Sequence, residues 1–375
     1  MGNDKLDGAR AAQALREQTR YVRGRSALYE RLLAGLAGAA ERGFDGGVVA
    51  RLLSQPSVPP PEEARLLSQP SVPPPEEARL LLLAALHHAA LEDPDLPHAA
   101  WFPTAVGEAQ PPDEGAPGAL ALAHLIEHED RVADFVSRNR LQTNEVARCL
   151  CLLPGLLLAG AYGLPLALVE LGCSAGLNLR FDRYRYRYLG GPNWGPAGGP
   201  RLEAAAEGKV PSVLTPPSLD ISERRGVDLR PIDPTTPEGA RLLTAFVWPD
   251  EHDRVRRLRE ALSVAAATPV TLEKEDLGAW AAANLRPVEG RVTVVFHSLV
   301  TYLLNDATRR RLAEAVDRAL RTATADAPVV HMRFEPPPGI DAPPELTVTV
   351  GDGSRPPEPQ TVLTGDWHGR WVRWW

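Results

Sequence analysis

LALVELGCSAGLNL, residues 166–179, opens as an unbroken apolar run, ends that run in Glu170, and then sets Gly172, Ser174 and Gly176 at alternate positions. The pattern predicts a buried strand, a tight turn and a helix start. A glycine-rich turn lets the backbone approach a ligand closely, and the N–H groups of a following helix are free to bind it. A dinucleotide fingerprint needs Gly-x-Gly-x-x-Gly. The spacing Gly172-x-Ser174-x-Gly176 does not match it. A tight strand-to-helix turn with no ligand is the alternative.

Outward from this stretch the chain divides in character. Residues 1–163 read as an α-helical domain: Leu28, Leu32, Leu33 and Leu36 recur at helical spacing, as do Leu80, Leu83, Leu86 and Leu91. Further helices are expected around 118–139 and 143–162, the second capped by Thr143, with Glu145 in its first turn. RLLSQPSVPPPEEA occurs at 51–64 and again at 65–78. Two short copies do not make a solenoid. They read as a duplicated Pro-rich surface segment that ends in a helix start at Pro-Glu-Glu.

From 164 to 375 apolar strands alternate with helices around 236–246, 251–266 and 304–323, which argues for a mostly parallel α/β sheet. The last strands follow PPPGIDAPPE without a long helix, so the sheet is expected to end in an antiparallel hairpin. Residues 182–222 read as a Tyr/Gly/Pro-rich insertion. Its DRYRYRY stretch alternates three arginines with three tyrosines, as an amphipathic strand lying on the core would.

Composition narrows the function classes. Of 375 residues, 44% are hydrophobic and 24% charged, near the globular average, and the formal net charge is −7. That balance gives no pull toward nucleic acid. No stretch of 18 apolar residues offers a membrane span. Three cysteines, Cys149, Cys151 and Cys173, supply neither a disulfide framework nor a zinc pattern. The expectation is a soluble, cytoplasmic protein with a small-molecule substrate, no metal, no nucleic-acid or membrane partner, and an oligomeric state left open.

Residues 170–176 resemble the first motif of class I S-adenosylmethionine-dependent methyltransferases, an acid at a strand end followed by x-Gly-x-(Gly/Ser)-x-Gly. The resemblance implies a Rossmann-like sheet with S-adenosylmethionine on Glu170, Gly172, Ser174 and Gly176, the acid near the methionine amine. It further implies Asp228, at the end of the short apolar run in GVDLRPID, on the ribose hydroxyls, since a carboxylate accepts two hydrogen bonds. Asp276, after VTLEKE, would meet the adenine amino group; a helix-capping acid is the alternative there. His297 and Ser298 close the fourth strand at the edge where open α/β sheets bind ligands.

Five blocks, QTNEV at 142–146, ELGCSAGLNLRFDRYRY at 170–186, RGVDLRPID at 225–233, VFHSLVTYL at 295–303 and HGRWVRW at 368–374, are similar to the bacterial domain-of-unknown-function 2332 family. That family implies a methyltransferase-like fold with a helical N-terminal extension and no established reaction. Blocks outside the cofactor pattern bear on substrate: Gln142, Asn144 and Arg148, with Asn178 and Tyr302, are candidate binding residues. His297, Glu145 and His368 are candidate bases, in that order, because transfer to oxygen or nitrogen needs alignment and proton removal. The leading expectation is a methyltransferase acting on a small polar metabolite. The alternatives are a non-methylating enzyme on the same fold, catalysing an intramolecular substitution, lyase or hydrolase step, and a non-catalytic binding protein.

Overall fold

The computed structural model describes residues 7–41, 46–55, 75–107, 117–191, 193–208, 219–337 and 342–375. It divides into two compact units, Met1–Thr143 with Pro237–Arg256, and Asn144–Thr236 with Arg257–Trp375.

The first unit is helical. Its helices include Gly8–Val22, Ala27–Glu41, Gly46–Leu53, Pro75–Glu92, Pro117–Glu127, Glu129–Arg138 and Pro237–Ala245. Asp7 caps the first by accepting from the Arg10 N–H at 2.8 Å. The Ser26 hydroxyl and the Asp250 carboxylate take the Tyr29 and Leu28 N–H groups at the start of the second. Leu28, Leu32, Leu33 and Leu36 are buried, as their spacing requires. Gly35 and Gly118 let two helices cross backbone to backbone: a Cβ on Gly35 would stand 2.6 Å from the Gly118 Cα. The expected single helix over 118–139 is two helices broken at His128. Proline begins the helix Pro75–Glu92 at Pro-Glu-Glu, as read. The rest of the repeat, from 56 to 74, lies outside the described residues.

Among the described residues, the second unit is built on an eleven-stranded sheet. Its strands are β1 (Leu166–Leu171), β2 (Arg185–Tyr188), β3 (Asn193–Trp194), β4 (Arg201–Glu207), β5 (Ile221–Asp228), β6 (Thr271–Lys274), β7 (Val292–Ser298), β8 (Val329–Glu335), β9 (Glu345–Gly351), β10 (Gln360–Gly365) and β11 (Trp371–Trp374). Their order is β3-β2-β4-β11-β10-β9-β8-β7-β1-β5-β6. The run β6-β5-β1-β7-β8 is parallel throughout. β8 to β11 then form an antiparallel meander, the expected C-terminal hairpin extended by further strands. β1 and β7 are buried at every position, the signature of parallel strands covered on both faces. On one face Val169, Leu171, Val295 and Val329 pack with Leu277, Trp280, Leu312 and Val316.

Two local expectations fail for identifiable reasons. The helix expected from Thr143 begins at Cys149, after a 3-10 turn Val146–Arg148. Glu145, not Thr143, caps that turn, accepting from the Ala147 N–H at 3.1 Å. The helix expected after the glycine turn is a 3-10 segment, Asn178–Arg183, interrupted at Arg180. The buried Arg180 guanidinium reaches the Gly176 and Thr268 carbonyls at 2.8 and 2.9 Å, the first of them an oxygen that a continuing helix would use. Beyond it the RYRY period of two takes over in β2, with arginines exposed and tyrosines buried. The Tyr184, Tyr186 and Tyr188 hydroxyls donate to the Leu177, Phe181 and Leu150 carbonyls.

Buried imidazoles set an acid limit on both units. His87 stacks 5.2 Å from Phe102 and bonds the Thr104 hydroxyl at 2.6 Å; burial pushes it down to about 3. Burial, with His297 beside it, takes His331 down to about 3 as well. Both are neutral when folded, whereas the unfolded chain protonates them below about pH 6.5. Their stabilisation is therefore complete above that pH and is lost as pH falls. Urea unfolding should show a decline of roughly 1.4 kcal/mol per group for each pH unit between about 6.5 and 4. His87→Gln should remove part of that slope; a flat profile would contradict the burial of neutral rings.

Candidate functional site

β1 lies between β5 and β7, so the chain leaves β1 toward one side of the sheet and later returns on the other. Open α/β sheets bind ligands at such a switch point, outside the strands' carboxyl ends. Among the described residues two non-glycine residues have positive φ, Ser174 at 51° and Leu299 at 57°. One follows β1 and the other follows β7. Such a conformation costs about 1–3 kcal/mol and persists only when its surroundings over-determine it.

The surroundings of Ser174 do so. Its N–H donates to Asp228 Oδ2 at 2.8 Å, and its carbonyl accepts from the Ile232 N–H at 3.1 Å. The Asn144 amide donates to the Ser174 hydroxyl and accepts from the Ala175 N–H at 3.2 Å. Asp228 Oδ1 takes the Arg230 N–H at 2.9 Å, so this half-buried carboxylate ties the turn after β1 to the loop after β5. Gly172 serves close packing: a Cβ there would stand 2.5 Å from a Val300 methyl. A Cβ on Gly176 would stand 3.1 Å from Leu272 Cδ2. Side chains therefore fill the space beside these glycines, where the backbone was expected to approach a ligand closely.

Beneath the turn lies Glu170, 2% exposed. Asn178 Nδ2 donates to its Oε1 at 2.8 Å, and Oε2 has no partner among the described residues. Cys149 Sγ faces Asn178 Oδ1 at 3.3 Å. Burial pushes Glu170 up to about 8, outweighing the Asn178 bond and the Arg148 and Arg180 charges, while Asp228 adds to the rise. At neutral pH the group is mostly a neutral acid. Arg148 Nε donates to the Trp367 carbonyl at 3.0 Å, and Gly369 packs on the Ala147 backbone. The turn carrying His368 therefore lies against the segment 144–148. Asp366 holds that turn through the His368 N–H at 3.0 Å and the Arg370 guanidinium at 2.8 Å. Glu145, 4% exposed, also pairs with Arg257 at 3.3 Å.

Asn144, Glu145, Arg148, Glu170, Ser174, Asn178, Asp228 and the His368 turn thus form one cluster. Gln142 is half-buried at the end of the first unit, and Tyr302 is 60% exposed beyond β7. His297, expected to be the leading base, is 3% exposed with both ring nitrogens engaged. Its Nδ1 lies 2.8 Å from Glu335 Oε1 and its Nε2 3.3 Å from His331 Nε2. As placed it reaches no ligand. Glu335 and His331 escaped the sequence reading. The signal was the parity of HMRFE: His297 pairs with Arg333, and residues 331 and 335 flank that position on the same face.

The fit to an adenosyl group is uneven. Asp228 abuts the turn and is partly exposed. Glu170 carries at the strand end an oxygen that has no partner among the described residues but is buried beneath the turn. Asp276 does not fit an adenine: it is 6% exposed, caps the helix Leu277–Asn284 through the Ala279 N–H at 2.9 Å, and accepts from the Thr308 hydroxyl at 2.6 Å.

No curated protein matches this chain. A family model covers residues 12–374, and the chain belongs to the family described as "Uncharacterized protein conserved in bacteria (DUF2332)".

Proposed function

We propose that the protein is an S-adenosylmethionine-dependent methyltransferase with a Rossmann-like core, acting on a small polar metabolite at the carboxyl edge of β1. The observation that carries this reading is the clamped, left-handed Ser174 turn with the Asp228 carboxylate docked on it. The parallel order β6-β5-β1-β7-β8 supports it, being the arrangement of a doubly wound sheet whose first strand sits at the switch point.

When bound, S-adenosylmethionine supplies an electrophilic methyl group for in-line displacement. Asp228 would accept from the ribose hydroxyls, and the turn at Ser174 would fix its distance from the sheet. The unpartnered Glu170 oxygen would meet the amino-acid end. The segment 144–148 and the His368 turn would orient the acceptor and exclude water. Of the three candidate bases His297 and Glu145 are almost fully buried, which leaves His368, half-buried on a turn beside Arg148. The engagement of Asp276 as a cap favours a second reading. In that reading the same edge carries out another substitution, lyase or hydrolase step on a polar metabolite without a methyl donor.

Calorimetry with S-adenosylmethionine and S-adenosylhomocysteine tests the first reading. Binding is expected, and ligand at 100 times its dissociation constant should add about 2.7 kcal/mol to stability. Because Glu170 titrates at about 8 when unliganded, an ammonium beside it favours the ionised form and a proton is released. Affinity should therefore rise with pH up to about 8, by at most about tenfold per unit, before the ligand's own α-ammonium loses its proton; Glu170→Gln should abolish the rise. Absence of binding to either compound would defeat the reading.

The clamp is tested separately. Asn144→Ala leaves the Ser174 hydroxyl and the Ala175 N–H without their partner. It should lower stability by about 1–3 kcal/mol and weaken S-adenosylhomocysteine binding. Unchanged stability and affinity would contradict the clamp.

A further inference from the structure

The segment leaving β7 is held by a charge-assisted latch that simple packing does not require. Leu299, in the left-handed region, donates its N–H to the Phe334 carbonyl at 3.0 Å. The next two N–H groups turn to one buried carboxylate. Val300 donates to Glu335 at 2.9 and 3.2 Å, and Thr301 at 3.3 Å. Glu335 is 7% exposed and also takes His297 Nδ1 at 2.8 Å. Burial works against its charge, but His297 and the two N–H groups hold it below the usual carboxylate range.

The latch puts Val300 in one place. Its methyl groups would lie 2.5 and 2.8 Å from a Cβ on Gly172, so Val300 packs directly on Gly172, between the loops after β1 and β7. Immediately downstream Tyr302 and Leu303 stand 60% and 70% exposed, large apolar side chains left in solvent. Arg309 ties the far end of the segment by donating to the Leu304 carbonyl at 2.8 Å. A strained residue, a buried charge and an apolar plug thus converge on three residues at the switch point. Strain at such a site is relieved when the segment moves, and a segment tied at both ends has a defined hinge.

We propose that Leu299–Thr301 is a gate: Glu335 and His297 latch Val300 over Gly172, and a ligand enters the crevice only when Val300 swings away. This rests on the ligand site proposed above, and it accounts for a binding turn whose room is filled.

The test uses the full chain with S-adenosylhomocysteine as probe. It combines amide hydrogen exchange at Val300 and Thr301 with calorimetric affinity, in the wild type, Val300→Ala and Glu335→Gln. Glu335→Gln keeps the shape and removes the charge, so exchange at these two amides should quicken by about tenfold or more while β7 and β8 stay protected. Both variants should bind the probe about threefold or more tighter than the wild type, because less of the closed state must be displaced. Unchanged exchange in Glu335→Gln, or acceleration spread through β7 and β8, overturns the gate, as does weaker binding by both variants. If no form binds the probe, the methyl-donor reading falls. The latch is then decided by exchange alone, kept by loss of protection confined to the two amides and overturned by any other pattern.

Discussion

Ser174 holds a backbone conformation that its side chain disfavours, and the hydrogen bonds that keep it there organise the edge of the sheet. Asp228 reaches it from β5, Asn144 from the segment ahead of the helix Cys149–Gly160, and Ile232 from the loop beyond Asp228. Each brings its own segment to the end of β1. The cluster thus follows from one turn: with Asn144 in place, Arg148 and Cys149 come against the Trp367 carbonyl and Asn178, and Asn178 reaches Glu170.

Two carboxylates at this edge illustrate how surroundings divide their roles. Glu170 is buried with one hydrogen-bond donor, so desolvation wins and the acid stays mostly neutral at pH 7. Glu335 is also buried, yet an imidazole and two N–H groups face it, so it stays charged. The difference lies in the number and charge of the donors, a property of packing that neither side chain carries by itself.

Much of the fold was legible because parallel strands covered on both faces must be apolar throughout. LALVEL and VTVVFHS could be read as β1 and β7 for that reason, and RYRY as an amphipathic strand. The glycine turn and Asp228 were legible as a pair. The 3-10 segment at Asn178–Arg183 was not, because it depends on Arg180 folding back to carbonyls as distant in sequence as Thr268. Glu145 looked like a candidate base while local geometry made it a cap, and His297 looked open until β8 brought Glu335 and His331 alongside. In each case the residue type was right for chemistry; the N–H two residues on fixed what Glu145 does, and partners contributed by β8 fixed what His297 does. The first unit hides a similar dependence, since Pro237–Arg256 joins it from far along the chain and supplies Asp250 to the helix at Leu28.

The central claim is that the carboxyl edge between β1 and β7 is a ligand site, closed here by Val300. A crystal structure grown with S-adenosylhomocysteine addresses it directly. The account predicts the ribose against Asp228, the Ser174 turn unchanged, and Val300 displaced from Gly172. An adenosyl group bound elsewhere on the protein, or bound at this edge with Val300 still seated on Gly172, would contradict it.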